Sequence, residues 1–448
     1  MDKHPDPNLL SSFVRSELPR RRNREIVRHL LARCGDCCRV ALRHLPLAYG
    51  GGAEPRGTWF DYGKSFARAW RETERRQDSL AAERSAAPEL LRELLAQPLD
   101  RQRVLVITST RHRSWSFCEL LLEAAREWGY REPGRAIEMA QLGVEVAARL
   151  DPAVYGQERV NDLAARAWGV LGNAQRIRSD FLDADESFLK AERLLKQGTR
   201  DPIEKAQVLL LKSSLRGNQQ RFAEAFRLLD RTVAIARNCD DAQLLGRALV
   251  MRGFLLGTAN DLAAAIESLR AGIEGLDPVA DPRLHVAAQH NLILFLSDSG
   301  QNDEAMRLLE SSRPLYHEVG DQMGLLRLRW LEGRIASSLG RFAEAEQILR
   351  DVRQELIERD LGFDTALLSL DLAGLYARQG RSAEMRRLAA EMLPIFRSRD
   401  IHREAIAALF LFQKAAEMER VTLGLIREVS SYLQESRSAA GLRSHEPR

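Results

Sequence analysis

The 448-residue sequence has few cysteines and lacks long apolar runs. It contains five cysteines, three of them between Cys34 and Cys38, so a disulfide framework is not expected. No apolar run approaches the roughly 18 residues that a membrane-spanning helix needs. The first residues are polar and do not resemble a signal peptide. These absences predict a soluble, cytoplasmic protein.

Lysine and catalytic motifs are also scarce. About sixty arginines stand against seven lysines, which with abundant alanine and leucine indicates a GC-rich bacterial genome. The net charge of +4 gives no general attraction to nucleic acid. Phosphate-binding loops, dinucleotide fingerprints, zinc-protease helices and nucleophile elbows have no counterpart. The nine histidines are scattered. We therefore expect a binding protein and not an enzyme.

A repeat dominates the rest of the chain. After a first step of 41 residues, one position recurs every 40 and holds alanine five times and methionine once: Ala184, Ala225, Ala265, Ala305, Ala345 and Met385. An apolar residue follows four positions after each of the alanines. A fixed period of this length is typical of repeat arrays.

One unit shows what is repeated. Leu328, Leu331 and Ile335 follow helical spacing, Gly340-Arg341 interrupts it, and a second helical stripe follows. Small residues, Gly333 on one helix and Ala345 on the next, let the two helices cross closely. The pattern predicts antiparallel helix pairs that must stack on neighbours to bury their apolar faces.

This pattern resembles the tetratricopeptide repeat. The best match is Trp168-Gly169-Val170-Leu171-Gly172, followed by Ala184 and Phe188 at the family's offsets. The unit here is about six residues longer than the family's 34. The resemblance implies an all-α fold, a right-handed α-solenoid of antiparallel helix pairs over residues 88–435, with residues 436–448 as a disordered tail.

In tetratricopeptide arrays, the first helix of each pair lines a groove that binds protein segments. The family's groove offsets select nine residues here: Arg166, Asn173, Arg176, Arg247, Phe254, His290, Arg327, Trp330 and Arg334. Arginine recurs among them and acidic residues are absent, so the expected partner is an acidic or carboxylate-bearing protein or peptide. Alternatively, these arginines pair with acids of the array.

Residues 1–48 differ from the repeats and are predicted to form a small helical module. His29 lies on the helix about one turn before Cys34, and Cys34-x-x-Cys37 follows at the helix end. This arrangement can place three soft ligands around one tetrahedral Zn²⁺. Three residues could supply the fourth ligand: His4, Cys38 or His44. The alternatives are a helical hairpin whose cysteines act as small apolar residues, or a redox Cys-x-x-Cys.

The same segment resembles the zinc-binding domain of anti-sigma factors. Glu17-Leu18-Pro19 and His29-Leu30 followed by Cys34-x-x-Cys37 match that family, with one residue more between histidine and the first cysteine. The resemblance implies that the module contacts a sigma factor or another transcription protein, and that the whole chain is a regulator or adaptor.

Two further features of the N-terminal region leave alternatives open. Arg20-Arg21-Arg22 and Arg24 form a basic run, so a nucleic-acid-binding regulator is one alternative, and a purely structural scaffold is another. Residues 49–87 are predicted to be a linker with an aromatic helix. Its aromatic residues fall close together: Trp59, Phe60, Tyr62, Phe66 and Trp70.

Overall fold

A computed structural model describes most of the chain: residues 4–14, 17–31, 34, 36–37, 40–41, 62–129, 132–319, 322–359, 361–397, 412 and 422–432. Within these residues the secondary structure is helical and contains no strand. No helix of the described part is long and apolar enough to cross a bilayer. The predicted tail at 436–448 lies outside the described residues.

The chain divides into two compact units, Met1–Arg76 and Gln77–Arg448. In the first unit, helices Pro7–Val14 and Arg20–Leu31 pack against each other. Leu10, Ile26 and Cys37 are buried between them. This core is small, as the length of the module leads one to expect.

One long helix, Tyr62–Leu95, runs through the region that the sequence suggested was a linker. The division between the two units, after Arg76, falls within this helix. The helix also contains Pro88, so the predicted boundary between residues 87 and 88 lies inside a helix. Apolar packing of Ala87 and Leu94 in the second unit's core holds the helix together around the proline. The aromatic residues Trp59 and Phe60 lie outside the described residues, as do the side chains of Tyr62, Phe66 and Trp70.

The described part of the second unit contains seven antiparallel helix pairs, here numbered 1 to 7. Their first and second helices are Trp115–Gly129 and Pro133–Ala147, Gln157–Ile177 and Phe181–Lys196, Pro202–Asn218 and Phe222–Asn238, Ala242–Thr258 and Leu262–Gly275, Pro282–Asp298 and Asn302–Val319, Gln322–Ser338 and Phe342–Glu358, and Gly362–Arg378 and Ser382–Arg397. Helix Leu99–Thr108 and a 3₁₀ turn, Thr110–His112, precede them. Of the further pair expected after residue 400, only residues 412 and 422–432 are described.

The pairs stack in two layers. Each second helix packs against its own first helix and against the first helix of the next pair. Each first helix also contacts the first helix of the next pair. We call the layer of seven first helices the inner surface. This arrangement confirms the predicted solenoid of helix pairs.

The small residues lie where the repeat predicts that helices cross. The five alanines of the 40-residue period are fully buried, and Met385 is buried in the sixth position. A Cβ added to Gly253 would lie 2.6 Å from Leu269 Cγ and 3.0 Å from the carbonyl oxygen of Ala265. A Cβ added to Gly333 would lie 2.8 Å from Leu349. The close crossing is therefore confirmed, and it explains why small residues recur there.

Candidate functional site

Four potential metal ligands converge in the first unit. His4, His29, Cys34 and Cys37 place their ligand atoms within 4.8 Å of one another. Helix Arg20–Leu31 carries His29 near its end, and Cys34 and Cys37, which follow this helix in the sequence, lie at the same point. The structure thus places the three predicted ligands together and adds His4, one of the three candidates for the fourth.

The donor set fits a tetrahedral Zn²⁺ ion. Cys34 Sγ lies 3.1 Å and Cys37 Sγ lies 3.5 Å from His4 Nδ1. Ligand atoms at the corners of a Zn²⁺ tetrahedron lie ~3.3–3.8 Å apart, so the Cys37–His4 distance falls in this range and the Cys34–His4 distance is slightly shorter. His29 Nε2 is buried without a hydrogen-bond partner in the described structure, which suits a nitrogen that binds a metal. Two imidazoles and two thiolates form a common structural zinc set.

The other N-terminal candidates receive less support. Cys38 and His44 lie outside the described residues. Of the basic run, the described side chain is Arg22, and it pairs with Glu25 at 3.2 Å on the surface of its own helix. One exposed ion pair of this kind is typical of a solvated helix face.

The nine predicted groove residues all lie on first helices and therefore belong to the inner surface. Arg166 of pair 2 joins three of these helices. Its Nη1 donates to Glu119 of pair 1 at 3.0 Å, and its Nε donates to Glu204 of pair 3 at 3.0 Å. Desolvation lowers the pKa of Arg166, but the two carboxylates outweigh it and raise the pKa.

Asn173 and Arg176 form a second bridge on the same helix. Arg176 Nε donates to Asn173 Oδ1 at 3.0 Å, and its Nη1 donates to Asn218 Oδ1 of pair 3 at 2.9 Å. These bonds fix the side chains across two pairs. Each asparagine keeps its amide N–H₂ group as a donor.

A third cluster occupies the inner surface of pairs 5 to 7. Trp330 Nε1 donates to Asp371 Oδ2 at 2.7 Å, and Arg334 Nη2 donates to Asp298 Oδ1 at 2.9 Å. Desolvation raises the pKa of Asp371, partly offset by Arg334, although 31% of the Asp371 side chain is exposed.

His290 and Arg327 complete this cluster. Desolvation, and repulsion from Arg327 and Arg334, lower the pKa of His290 to about 4. Its ring centroid is 6.4 Å from that of Tyr316. Arg327 is exposed and has no ion pair or hydrogen bond in the described part of the chain.

On pair 4, Arg247 Nη2 pairs with Asp281 at 2.8 Å. Seven residues further along the same helix, Phe254 is 43% exposed. An aromatic ring this open on a surface of polar side chains is available to a partner.

Acidic residues on the inner surface are what the sequence interpretation missed. Five of them lie on first helices or their caps: Glu119, Glu204, Asp281, Asp298 and Asp371. They pair with predicted groove residues, so the surface is a set of bridges, as the alternative interpretation expected. They were missed because the family's offsets select one face of each first helix. Acids on adjacent faces of these helices are left out by that selection.

No family model and no curated protein matches the sequence. Solved structures are similar in fold. The apo form of RapI has a TM-score of 0.50 at 13% identity, over 82% of this chain and 99% of that chain. A Rap protein complexed with competence and sporulation factor has a TM-score of 0.44 at 12% identity, over 80% and 99%. Aspartyl phosphate phosphatase F from Bacillus subtilis has a TM-score of 0.44 at 15% identity, over 83% and 97%.

Proposed function

We propose that this protein is a non-catalytic regulator or adaptor that binds a protein segment or peptide on its inner surface. The observation that carries the proposal is the continuity of that surface. Bonds between neighbouring first helices hold Arg166, Arg176, Trp330 and Arg334 in place across several pairs. Side chains fixed before binding lose less entropy when a partner arrives.

The charges of the two layers favour an acidic partner. The seven first helices contain fourteen Lys/Arg and ten Asp/Glu residues, whereas the second helices contain fifteen and twenty-one. The inner surface is therefore the more basic layer. Complementary charge guides a partner of opposite sign to it.

Selection from a displayed library of random peptides tests this proposal. The full chain should enrich defined sequences, and Phe254→Ser should abolish most of the enrichment. Leu182→Ser is the matched control, because Leu182 is 66% exposed but lies on a second helix. If enrichment depends on Leu182 and not on Phe254, the peptides bind the layer of second helices, and the proposed binding surface is wrong. No enrichment at all would contradict the proposal.

We also propose a structural zinc site in the first unit, formed by His4, His29, Cys34 and Cys37. The geometry of these four ligands favours it over a hairpin with apolar cysteines or a redox pair. Bound zinc would cross-link a unit whose described apolar core is small. Zinc content of the purified full chain should be one ion per chain, and His4→Ala should reduce it. His44→Ala is the control; if that variant loses zinc while His4→Ala keeps it, the ligand assignment is wrong.

Because the first unit resembles anti-sigma zinc domains, we propose that its partner is a sigma factor or another transcription protein. Two-hybrid tests of the full chain against the sigma factors of its own genome address this. Loss of an interaction in Cys34→Ser would support it. If the full chain binds DNA instead, with affinity that falls steeply as salt rises, the nucleic-acid alternative replaces it.

A further inference from the structure

The two layers of helices carry opposite net charge in pairs 4 to 6. The first helices of these pairs contain six Lys/Arg and two Asp/Glu residues, whereas their second helices contain five and eleven. In the other four pairs the second helices contain ten of each. The acidic surplus of the second-helix layer therefore lies entirely in pairs 4 to 6, away from the inner surface.

A groove of about 470 Å³ opens on this acidic layer. The second helix of pair 4 lines most of it, and Gln301, which directly precedes the second helix of pair 5, lines the rest. Arg270 Nη2 pairs with Glu304 Oε1 at 2.6 Å and joins the two helices beside the groove. Known ligand sites have volumes of ~300–1,000 Å³, so this groove has room for side chains of a partner.

Two glutamates of the groove have no counter-ion in the described structure. Glu267 and Glu274 both line the groove, and both are exposed. They lie seven residues apart on one helix, which is two turns and ~10.5 Å along the axis, so they share a face. Arg270 stands between them in the sequence, but Glu304 holds its guanidinium. The two carboxylates are therefore available to cations from outside the chain.

The position of Glu274 makes its negative charge unfavourable. Glu274 lies in the last turn of helix Leu262–Gly275, and that turn contains no basic residue. The last carbonyl groups of a helix carry partial negative charge, so a carboxylate beside them is destabilising. A cation bound to Glu274 would offset this repulsion as well as pair with the carboxylate.

Apolar atoms lie between the two carboxylates. Ala271 is four residues after Glu267 and three before Glu274, so it shares their face of the helix. Ala263 and the buried Ile266 also line the groove. Because the alanine side chains are short, they leave space for an apolar side chain of a partner, with one acid on either side of it.

We propose that this groove binds a basic segment of a protein partner, with two Lys or Arg side chains on Glu267 and Glu274 and an apolar side chain on Ala271. Cations bind carboxylates through charge-assisted hydrogen bonds, which are about twice as strong as neutral ones. The acidic surplus of pairs 4 to 6 guides a segment of opposite charge to the groove. The protein then has a second binding surface on the layer of second helices, and this surface does not depend on binding at the inner surface.

Differential selection from a displayed library of random peptides tests this inference. Peptides that bind the full chain but not its double variant Glu267→Gln/Glu274→Gln should carry two Lys or Arg residues around an apolar one. The affinity of this variant for a synthetic peptide of the selected consensus should be at least about tenfold lower than that of the wild type.

The double variant Asp183→Asn/Glu186→Gln is the matched control. It removes the same number of negative charges from exposed positions on the second helix of pair 2, outside the groove. It should bind the consensus peptide as the wild type does. Circular dichroism of each variant confirms that it folds.

Ala271→Gln tests the shape of the groove without a change of charge. Glutamine is a good helix former, so the helix should persist. Its longer side chain would occupy the space between the two glutamates, and binding of the consensus peptide should be lost or weakened. Unchanged binding would show that no side chain of the partner enters this space, and the proposed contact with Ala271 would be wrong.

Three further results would overturn the inference. Differential selection could yield no basic peptides, or both double variants could lose binding equally, which would indicate general attraction to the acidic layer and no groove site. Loss of consensus binding in Phe254→Ser would place the peptide on the inner surface and leave the proposed function intact. Conversely, if the groove binds its consensus but no selected peptide depends on Phe254, the proposed function is wrong and the groove site remains.

Discussion

The two units of this chain are stabilised in different ways. The first unit buries a small cluster, Leu10, Ile26 and Cys37, in its described part, and four potential metal ligands meet beside it. In its described part, the second unit buries apolar side chains in each of seven pairs, and an alanine of the 40-residue period is fully buried in each of pairs 2 to 6. If the proposed zinc binds, stability in the first unit depends on one local site. In the second it is distributed over many equivalent contacts.

The largest expected effect separates the two units directly. Binding of zinc to four ligands contributes on the order of 10 kcal/mol, and in small zinc modules this becomes folding free energy. We therefore expect a chelator to unfold the first unit and to leave the helix pairs folded. Hydrogen exchange measured by mass spectrometry should show protection lost over residues 4–41 and kept over residues 115–397.

Cys37→Ser gives the same comparison without a chelator. Cys118→Ser is its control, because Cys118 is a fully buried thiol of the second unit whose pKa burial raises to about 12. This control should perturb pair 1 and leave residues 4–41 protected. If the first unit stays protected against hydrogen exchange both with the chelator and in Cys37→Ser, its apolar core is sufficient to keep it folded. The two units would then not differ in how they are stabilised.

The same difference between the two units determines how much of the structure of each could be predicted from the sequence. The helix pairs repeat, so Gly253, Gly333 and the buried alanines each confirm what the others indicate. The metal cluster occurs once. His29, Cys34 and Cys37 were recognisable from spacing, but His4 is distant in sequence, and the fold is what brings it to them. The acids of the inner surface, such as Asp371, were missed because ion pairs between helices depend on how neighbouring pairs stack.

Acid should weaken the helix pairs through His290. The folded protein holds the pKa of this histidine at about 4, below its ordinary value of 6.5, by desolvation and by repulsion from Arg327 and Arg334. A depressed histidine pKa favours the neutral ring in the folded state, so the stabilisation is complete above pH 6.5 and is lost as pH falls toward 4. The loss is at most about 3 kcal/mol.

Urea unfolding of the chelated protein at several pH values, followed by tryptophan fluorescence, measures this loss in the helix pairs. His290→Gln should flatten the pH dependence between 6.5 and 4. His317→Gln, which replaces an exposed histidine of the neighbouring helix, should not. Equal slopes in the wild type and His290→Gln would assign the acid sensitivity to other groups.

Glycine substitutions compare a crowded crossing with an open position inside the second unit. Gly253→Ala brings a Cβ against the Ala265 carbonyl and Leu269 and should destabilise the protein by about 1–3 kcal/mol. Gly374→Ala meets nothing within 4 Å and should stabilise its helix by about 0.5–1 kcal/mol. Thermal unfolding measures both. A harmless Gly253→Ala would mean that the crossing relaxes, and the close approach would not explain the recurring small residues.

The smallest effect uses the turns between paired helices, where the repeat supplies its own control. At the same 40-residue spacing, Gln220, Asn260, Gly300, Gly340 and Gly380 all have positive φ. Gln220 has φ 57° and an exposed side chain, and this backbone conformation costs residues other than glycine about 1 kcal/mol. Gln220→Gly should therefore raise the unfolding temperature slightly, and Gly340→Ala should lower it by a similar amount. If both substitutions lower it, the turns differ between pairs in more than their residue type, and the stability of the second unit is less evenly distributed than its repeat implies.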